Sequence, residues 1–249
     1  MKKKVLLVLL VSWLQAHLIA AQTYQVFKGD TINRIDRKGL RQGVWKKYYP
    51  TDTLFSVADF KDGKRIGTYS TFHKSGRLQS KVMYRGASET GDATFFFEDG
   101  KVMARGKYVG QERDSIWNIY EENGKLQAIE SYSKGVKEGT FKDFYPNGQA
   151  SRSMTFKQGR KSGKFTEYFE SGKPKLEATM RNDDFEGTVM LYFPDGKVWQ
   201  RGQYRNGLRQ GVWSTYDENG KLEAEDKYRD GKQINPRIEE EKPLPDQGK

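Results

Sequence analysis

A glycine recurs every 24 residues along most of this chain, and that period constrains the fold more than any other feature of the sequence. Stepping by 24 from Gly43 reaches Gly67, Gly91, Ser115, Gly139, Gly163, Gly187 and Gly211 with no insertion or deletion. The same step from Tyr48 reaches Phe72, Phe96, Tyr120, Phe144, Tyr168, Tyr192 and Tyr216. From Trp45 it reaches Tyr69, Ala93, Trp117, Phe141, Phe165, Val189 and Trp213, and two further registers run from Phe60 to Tyr228 and from Gly76 to Gly220. Self-similarity at a fixed period of this size is the signature of a repeat architecture, in which each unit is one small supersecondary element.

Each unit reads as a two-stranded hairpin. Asn123-Gly124, Asn147-Gly148, Asn219-Gly220, Asp99-Gly100 and Asp195-Gly196 are dipeptides that tolerate the positive φ angles of a type I′ turn. After the turn, Leu222, Ala224, Asp226 and Tyr228 alternate with Glu223, Glu225 and Lys227, a period of two that predicts a strand with one wet face. Trp213 and Tyr216 lie three apart in the preceding strand, which would put them on opposite faces of a flat sheet. A bulge that re-aims one of them is the preferred reading, partial cover on both faces the alternative. A second turn, Asp62-Gly63 through Gly67 or Asn206-Gly207 through Gly211, leads from unit to unit.

The predicted fold is therefore all-β, an antiparallel β-hairpin meander or solenoid of about 16 short strands over residues 36–234. At about 4.8 Å per strand such a sheet extends on the order of 70 Å before twist and curl bend it. Residues 22–35, with Tyr24, Val26, Phe27 and Ile32, are expected to cap the first strand. Residues 235–249, with Pro236, Pro243, Pro245 and a Glu239-Glu240-Glu241 run, have little to bury and are expected to be a disordered tail.

Composition narrows the chemistry. The chain has no cysteine and two histidines, His17 and His73, so disulfides, thiolate chemistry and a multi-histidine metal site are excluded, and no cofactor is expected. Its low hydrophobicity would suit disorder, but 14 Tyr, 14 Phe and 5 Trp supply too much buriable surface for that. At the N-terminus, Lys2, Lys3 and Lys4 precede the apolar run Val5 to Leu14 and the small pair Ala20-Ala21, which predicts a signal peptide over 1–21 and an exported protein. The run is too short to span a membrane, so no transmembrane span is expected in the mature chain.

The unit Tyr204-Arg-Asn-Gly-Leu-Arg-Gln-Gly-Val-Trp-Ser-Thr-Tyr-Asp-Glu-Asn-Gly-Lys-Leu222 resembles the variant of the MORN (membrane occupation and recognition nexus) repeat found in bacterial MORN-repeat proteins, many of them classed as antitoxin-like. The resemblance covers residues 36–231. It implies a hairpin solenoid that serves as a scaffold or interaction surface and carries no catalytic residues over. Repeat three departs from the pattern at Ala93 and Gly86, and repeat one has Thr51-Asp52-Thr53 where the Asn-Gly should stand.

Two basic columns and one aromatic are the candidate binding residues. Arg41, Arg65, Arg113, Lys137, Lys161 and Arg209 recur two positions before the repeat glycine, and Arg77, Lys101, Lys125, Lys173, Lys197 and Lys221 follow the hairpin glycine. Neighbouring members lie roughly 10 Å apart along one rim, a geometry suited to a polyanion or an acidic lipid surface. The alternative is that charged turns keep a long sheet soluble. Trp199, with Met103 in the same column, replaces the polar residues Gln79, Gln127, Ser151, Lys175 and Glu223, and so stands on the polar face as an anchor for a protein or sugar partner. The competing reading is packing against Tyr192 or Phe193.

Catalysis finds no support in the pattern. His73 occupies a column that varies freely, the acids lie along turns without a facing pair, and each Gly-x-x-x-Gly is repeat punctuation rather than a phosphate loop. The interspersed acids leave no uninterrupted basic stripe for nucleic acid. The expected function is a non-catalytic exported scaffold for a protein partner. A cell-envelope module for glycans or anionic lipids and an immunity-type protein that neutralises a toxic partner are the alternatives.

Overall fold

Two strands per 24-residue unit is what the alternation of apolar and polar side chains dictates, and the computed structural model carries it through from end to end. It describes residues 22–85 and 90–235, all strand and turn, with no helix among them. The expected leader and its cleavage site, Gly86, and the tail beyond Asn235 lie outside the described residues. A hairpin of β1 (Thr23–Phe27) and β2 (Asp30–Ile35) precedes the repeats. Then come β3 (Arg41–Tyr48), β4 (Leu54–Lys61), β5 (Lys64–Phe72), β6 (Leu78–Tyr84), β7 (Thr90–Phe96), β8 (Val102–Val109), β9 (Glu112–Tyr120) and β10 (Leu126–Ser133). The second half holds β11 (Val136–Lys137), β12 (Gly139–Phe144), β13 (Ala150–Lys157), β14 (Arg160–Tyr168), β15 (Pro174–Arg181), β16 (Asp184–Tyr192), β17 (Val198–Arg205), β18 (Leu208–Tyr216), β19 (Leu222–Arg229) and β20 (Lys232–Gln233).

The described residues thus hold 20 strands rather than about 16. The excess is the leading hairpin, the two-residue return β20, and one repeat strand divided into β11 and β12 at Glu138, whose N–H turns to Ser131 O at 3.0 Å. Every pairing is antiparallel and joins neighbours in sequence, with β10 bonded to both β11 and β12. The result is an open meander in which a repeat contacts only the repeats beside it.

The turns exchange the roles that the sequence suggests. At Glu121-Glu122-Asn123-Gly124 only the glycine has positive φ, at 84°. Gly124 N–H donates to Glu121 O at 2.8 Å and Glu121 N–H donates to Lys125 O at 2.9 Å, the pattern of a type I turn closed by a left-handed glycine. Asn123 is there for its side chain: its carboxamide oxygen accepts Lys125 N–H at 2.8 Å, as Asp195 Oδ1 accepts Lys197 N–H at 2.9 Å. The two-residue type I′ turns are the other set, with both central residues at positive φ. Examples are Asp62 at 50° with Gly63 at 78°, and Asn182 at 53° with Asp183 at 77°.

The glycine that defines the period is the bulge residue. Between Arg201 and Gln203 of β17 one residue intervenes, whereas three intervene between their partners Ser214 and Gln210 on β18, and Gly211 within that excess has φ 70°. Ser115 holds the same left-handed conformation at 59° without being glycine. Gly91 does not: β6 and β7 pair without a shift, and there the glycine admits close approach, since a Cβ would stand 2.7 Å from Val82 Cγ1. The bulge precedes Trp213 rather than separating it from Tyr216, so the preferred reading of that pair is corrected. Trp213 packs on Tyr204 and Tyr228 while Tyr216 lies beneath the Arg201 guanidinium at 5.6 Å, on the opposite face. Both faces are partly covered.

One face carries a nearly continuous apolar stripe. Phe141, Met154, Phe156, Phe165, Ala178, Met180, Val189 and Trp213 form one buried cluster, Val82, Ala93, Ala104 and Trp117 another, and Tyr132 packs against both. The largest side chains in it, Trp117 and Trp213, lie on glycine backbones: a Cβ at Gly106 or Gly202 would stand 2.2 Å from the indole. Size is traded at some of the equivalent positions, where Val189 pairs with Ala178 and where Ala58 and Tyr69 fall in the same shifted step of β4 and β5, while Met154 faces Phe165 with both large.

Candidate binding surface

The first basic column lies on the apolar stripe, where five of its six cations cover rings from two aromatic columns. Arg41 sits 4.7 Å from the Trp45 ring and 5.2 Å from Phe60; Arg113 is 4.4 Å from Trp117 and 5.6 Å from Tyr132; Arg209 is 4.2 Å from Trp213 and 5.2 Å from Tyr228. Arg65 covers Tyr69 at 4.8 Å, and Lys137 lies 5.1 Å from both Phe141 and Phe156. Guanidinium planes suit this place because they are weakly hydrated and still donate, as Arg209 does to Tyr228 Oη at 3.2 Å. Lys161 stands across from Phe156, and its backbone N–H donates to Asp183 Oδ1 at 2.9 Å. The column is therefore the lid of a single-layer core as much as a charged rim. That explains how Trp117 reaches 0% exposure with no second sheet above it.

The carbonyls of the same column tie successive repeats. Arg41 O accepts Gly63 N–H at 3.0 Å, Arg113 O accepts Gly135 N–H at 2.8 Å, and Arg209 O accepts Gly231 N–H at 3.0 Å. One residue further on, Gln42, Glu138, Glu186 and Gln210 use side-chain oxygens to accept the first N–H of the following turn. These acids and amides satisfy turn backbone, a role the solubility reading did not assign them. The second basic column also crosses between repeats. Arg77 donates to Glu98 O at 2.9 Å and Lys173 to Asp195 O at 2.8 Å, and Lys125 and Lys197 reach Pro146 O and Glu218 O. His73 does the same through Nε2 to Phe96 O at 3.3 Å, where Tyr145 Oη donates to Tyr168 O at 2.7 Å.

Trp199 is the extra residue of a bulge in β17, between Val198, which faces Tyr192, and Gln200, which faces Leu191. Its ring stands 6.4 Å from Phe193 at an angle of 53°, yet 42% of the residue stays exposed. It packs and protrudes at once. Met103 holds the same bulge position in β8 but is only half-exposed. Eight strand spacings separate the two, on the order of 38 Å along the sheet, so the structure does not bring them into one site.

The face opposite the stripe carries a polar group that sequence reasoning missed. Lys164 Nζ is 3.2 Å from Glu177 Oε1, and Tyr192 Oη donates to Glu177 Oε2 at 2.7 Å. The tyrosine hydrogen bond, with smaller help from Lys164, holds the Glu177 carboxyl below its ordinary range. Burial first, then the Glu177 carboxylate, pushes the Tyr192 phenol up to about 12. The clue in the sequence is the position of Glu177 directly across from Met190, two residues before Tyr192. Among the described residues no three acidic or histidine side chains are placed to hold a metal ion, and no helix is long and apolar enough to cross a membrane. One concavity of about 660 Å³ is lined by Arg41, Arg65, Tyr84, Glu112 and Lys134, and another of about 690 Å³ by residues of β1, β2 and β3 that include Phe27, Ile32 and Trp45.

Comparison with known proteins bears on the repeat. The family model described as MORN repeat variant matches residues 41–62, 89–109, 113–134, 137–158, 161–182, 185–206 and 209–230, more than half of the chain. No curated protein matches. Among solved structures, the chain is similar over 43% of its length to a mutant of S. aureus TarM in complex with Fondaparinux, alpha-GlcNAc-glycerol and UDP, at 10% identity and a TM-score of 0.30. It spans 21% of that protein. It is similar over 84% of its length to TcdB2-TccC3-TEV, spanning 14% of that chain at 11% identity and a TM-score of 0.21. A porin-like protein from Bacteroides uniformis ATCC 8492 matches over 76% of this chain and 91% of its own, at 13% identity and a TM-score of 0.20. At such TM-scores these likenesses carry no argument.

Proposed function

The chain belongs to the MORN repeat variant family, and on that premise we propose that it is an exported, non-catalytic scaffold that engages a protein partner through the open sheet. The observation that carries the reading is Trp199, a large aromatic braced by Phe193 and left 42% exposed on a bulge of an otherwise regular strand. Half-exposed, rigid aromatics at bulges are the residues that anchor interfaces, because they bury much area at little entropic cost. Export rests on the N-terminal sequence Lys2 to Ala21. The absence of enzymatic chemistry rests on the residue inventory.

Envelope glycan binding is the second reading, favoured by the same Phe193 and Trp199 pair, since sugars stack on aromatic faces. The anionic-lipid version draws less support, because five cations of the first column lie against rings. Neutralisation of a toxic protein would be one form of the first reading. The test is a pull-down from an envelope fraction with the wild-type chain and with Trp199→Ala. A protein retained by the first and lost or weakened with the second supports the scaffold. No retained protein together with saturable, Trp199-dependent glycan binding overturns it in favour of the second reading.

A further inference from the structure

The two ends of the sheet are finished differently. At the C-terminal end the outward backbone groups of β19 from Glu225 O to Arg229 are occupied. Arg229 pairs with Lys232 of β20, Ile234 N–H donates to Lys227 O at 2.8 Å, and the Asn235 carboxamide accepts Lys227 N–H and donates to Glu225 O at 3.1 Å. The carboxamide stands in for one more residue of strand, and Pro236, next in sequence, has no N–H to extend it. With Glu223, Glu225, Lys227 and Arg229 on the strand itself, this edge has the usual guards against pairing.

At the N-terminal end, among the described residues, β1 has no charge, no proline and no return segment on its outer side; its pairing with β2 shifts between Thr23 and Gln25, and the extra residue lies on β2, where Asn33 has φ 57°. Lys28 and Gly29, at φ 52° and 87°, close a two-residue turn, so Phe27 bonds to Asp30 and Gln25 to Ile32. The alternation then aims the N–H and C=O of Tyr24 and Val26 away from β2. Their residues are 60% and 64% exposed, and the strand Thr-Tyr-Gln-Val-Phe contains neither charge nor proline. The outward groups sit symmetrically about Gln25.

We propose that β1 is a self-association edge at which a second copy of the chain adds antiparallel, centred on Gln25. Tyr24 then faces Val26 of the partner subunit and Val26 faces the partner's Tyr24, two aromatic and β-branched pairs of the kind that stabilise neighbouring strands, each with its own pair of N–H···O bonds. A neutral strand meets its copy without like-charge contact. In this register the strand is its own complement, each exposed Tyr24 meeting an exposed Val26 with no charge on either side, which is why a second copy is the occupant. Because the far edge is occupied from Glu225 O to Arg229 and charged along its length, assembly stops at two rather than running on as a fibre.

Sedimentation of the full chain over a range of concentrations tests this, with circular dichroism to check folding. A reversible monomer–dimer equilibrium without larger species is expected. Val26→Pro removes an outward N–H and spares the inward bonds of Gln25 and Phe27, so it raises the dissociation constant roughly tenfold or more. The pair Tyr24→Lys with Val26→Lys sets like charges opposite each other and abolishes the dimer at low salt. Tyr24→Glu with Val26→Lys sets opposite charges in register and restores it. The proposal is overturned by a monomer at every concentration, whatever else then covers the edge, by a ladder of larger oligomers, by a dimer indifferent to Val26→Pro, or by failure of the charge-swapped rescue.

Discussion

Substituting Gly202 by alanine sets two effects of opposite sign against each other. Alanine in a strand interior gains roughly 0.5–1 kcal/mol over glycine by restricting the unfolded chain. The new Cβ, however, would stand 2.2, 2.3 and 2.6 Å from three atoms of the Trp213 ring, which is 1% exposed and held by Tyr204, Tyr228 and Arg209. The indole has nowhere to go, and overpacking of this kind costs about 1–3 kcal/mol. The net expectation is a loss of about 1–2 kcal/mol. Trp213→Tyr alone loses a similar amount, well under the roughly 3–5 kcal/mol of full truncation. Together the two changes reproduce the Ala58 and Tyr69 combination found elsewhere in the molecule, so the double variant loses less than the sum by about 1 kcal/mol or more. Urea unfolding followed by circular dichroism supplies the cycle. Native-state hydrogen exchange across β17 and β18 shows whether the loss stays local, as neighbour-only contacts require. A neutral or stabilising Gly202→Ala, or strict additivity, would refute the size-trading argument.

Three further expectations follow from the same geometry. Ser115→Gly relieves a left-handed serine and stabilises the chain by up to about 1 kcal/mol, with Gly211→Ser losing a similar amount, both read from urea midpoints. Glu177 titrates below its ordinary value when folded, so its contribution is present above the unfolded carboxyl pKa and disappears as pH falls through the lower folded value. Tyr192→Phe should raise the Glu177 pKa in an NMR titration and remove part of that acid dependence, and an unmoved carboxyl would disprove the hydrogen-bond cause. Asn33 carboxamide binds both Lys46 N–H, at 2.8 Å, and Lys46 O, at 3.0 Å. Asn33→Ala should therefore speed exchange at Lys46 roughly tenfold and loosen the leading hairpin.

The period, the serial antiparallel order, the apolar face and the family are legible in the residues because each is a local or nearest-neighbour property: alternation sets faces, and a repeat that contacts only its neighbours leaves no long-range topology to discover. The site was less legible. Arg113 and Arg209 look like rim charges in one dimension, and only the bulge after them swings their guanidinium groups back over Trp117 and Trp213. Trp199 was visible as an aromatic in a polar column, yet its simultaneous packing on Phe193 and exposure depend on its being the unpaired residue of a bulge.

What the sequence determined by itself is the unit: its length, its two strands, its glycine registers and the apolar columns that must share a face. What only the tertiary structure decided is how units meet. Asn123-Gly124 has the composition of a type I′ turn, but the carboxamide's bond to Lys125 N–H makes it a longer loop, and the type I′ geometry goes to turns such as Asn182-Asp183 that bond to the repeat before. The glycines beneath Trp117 and Trp213 and the asparagines that close β3 and β19 are likewise set by partners 11, 13 and 8 to 10 residues away across the ladder. Their physical reason is common: a buried ring or an unpaired amide is satisfied by whatever the neighbouring strand places against it, and that placement is a property of register rather than of any one residue.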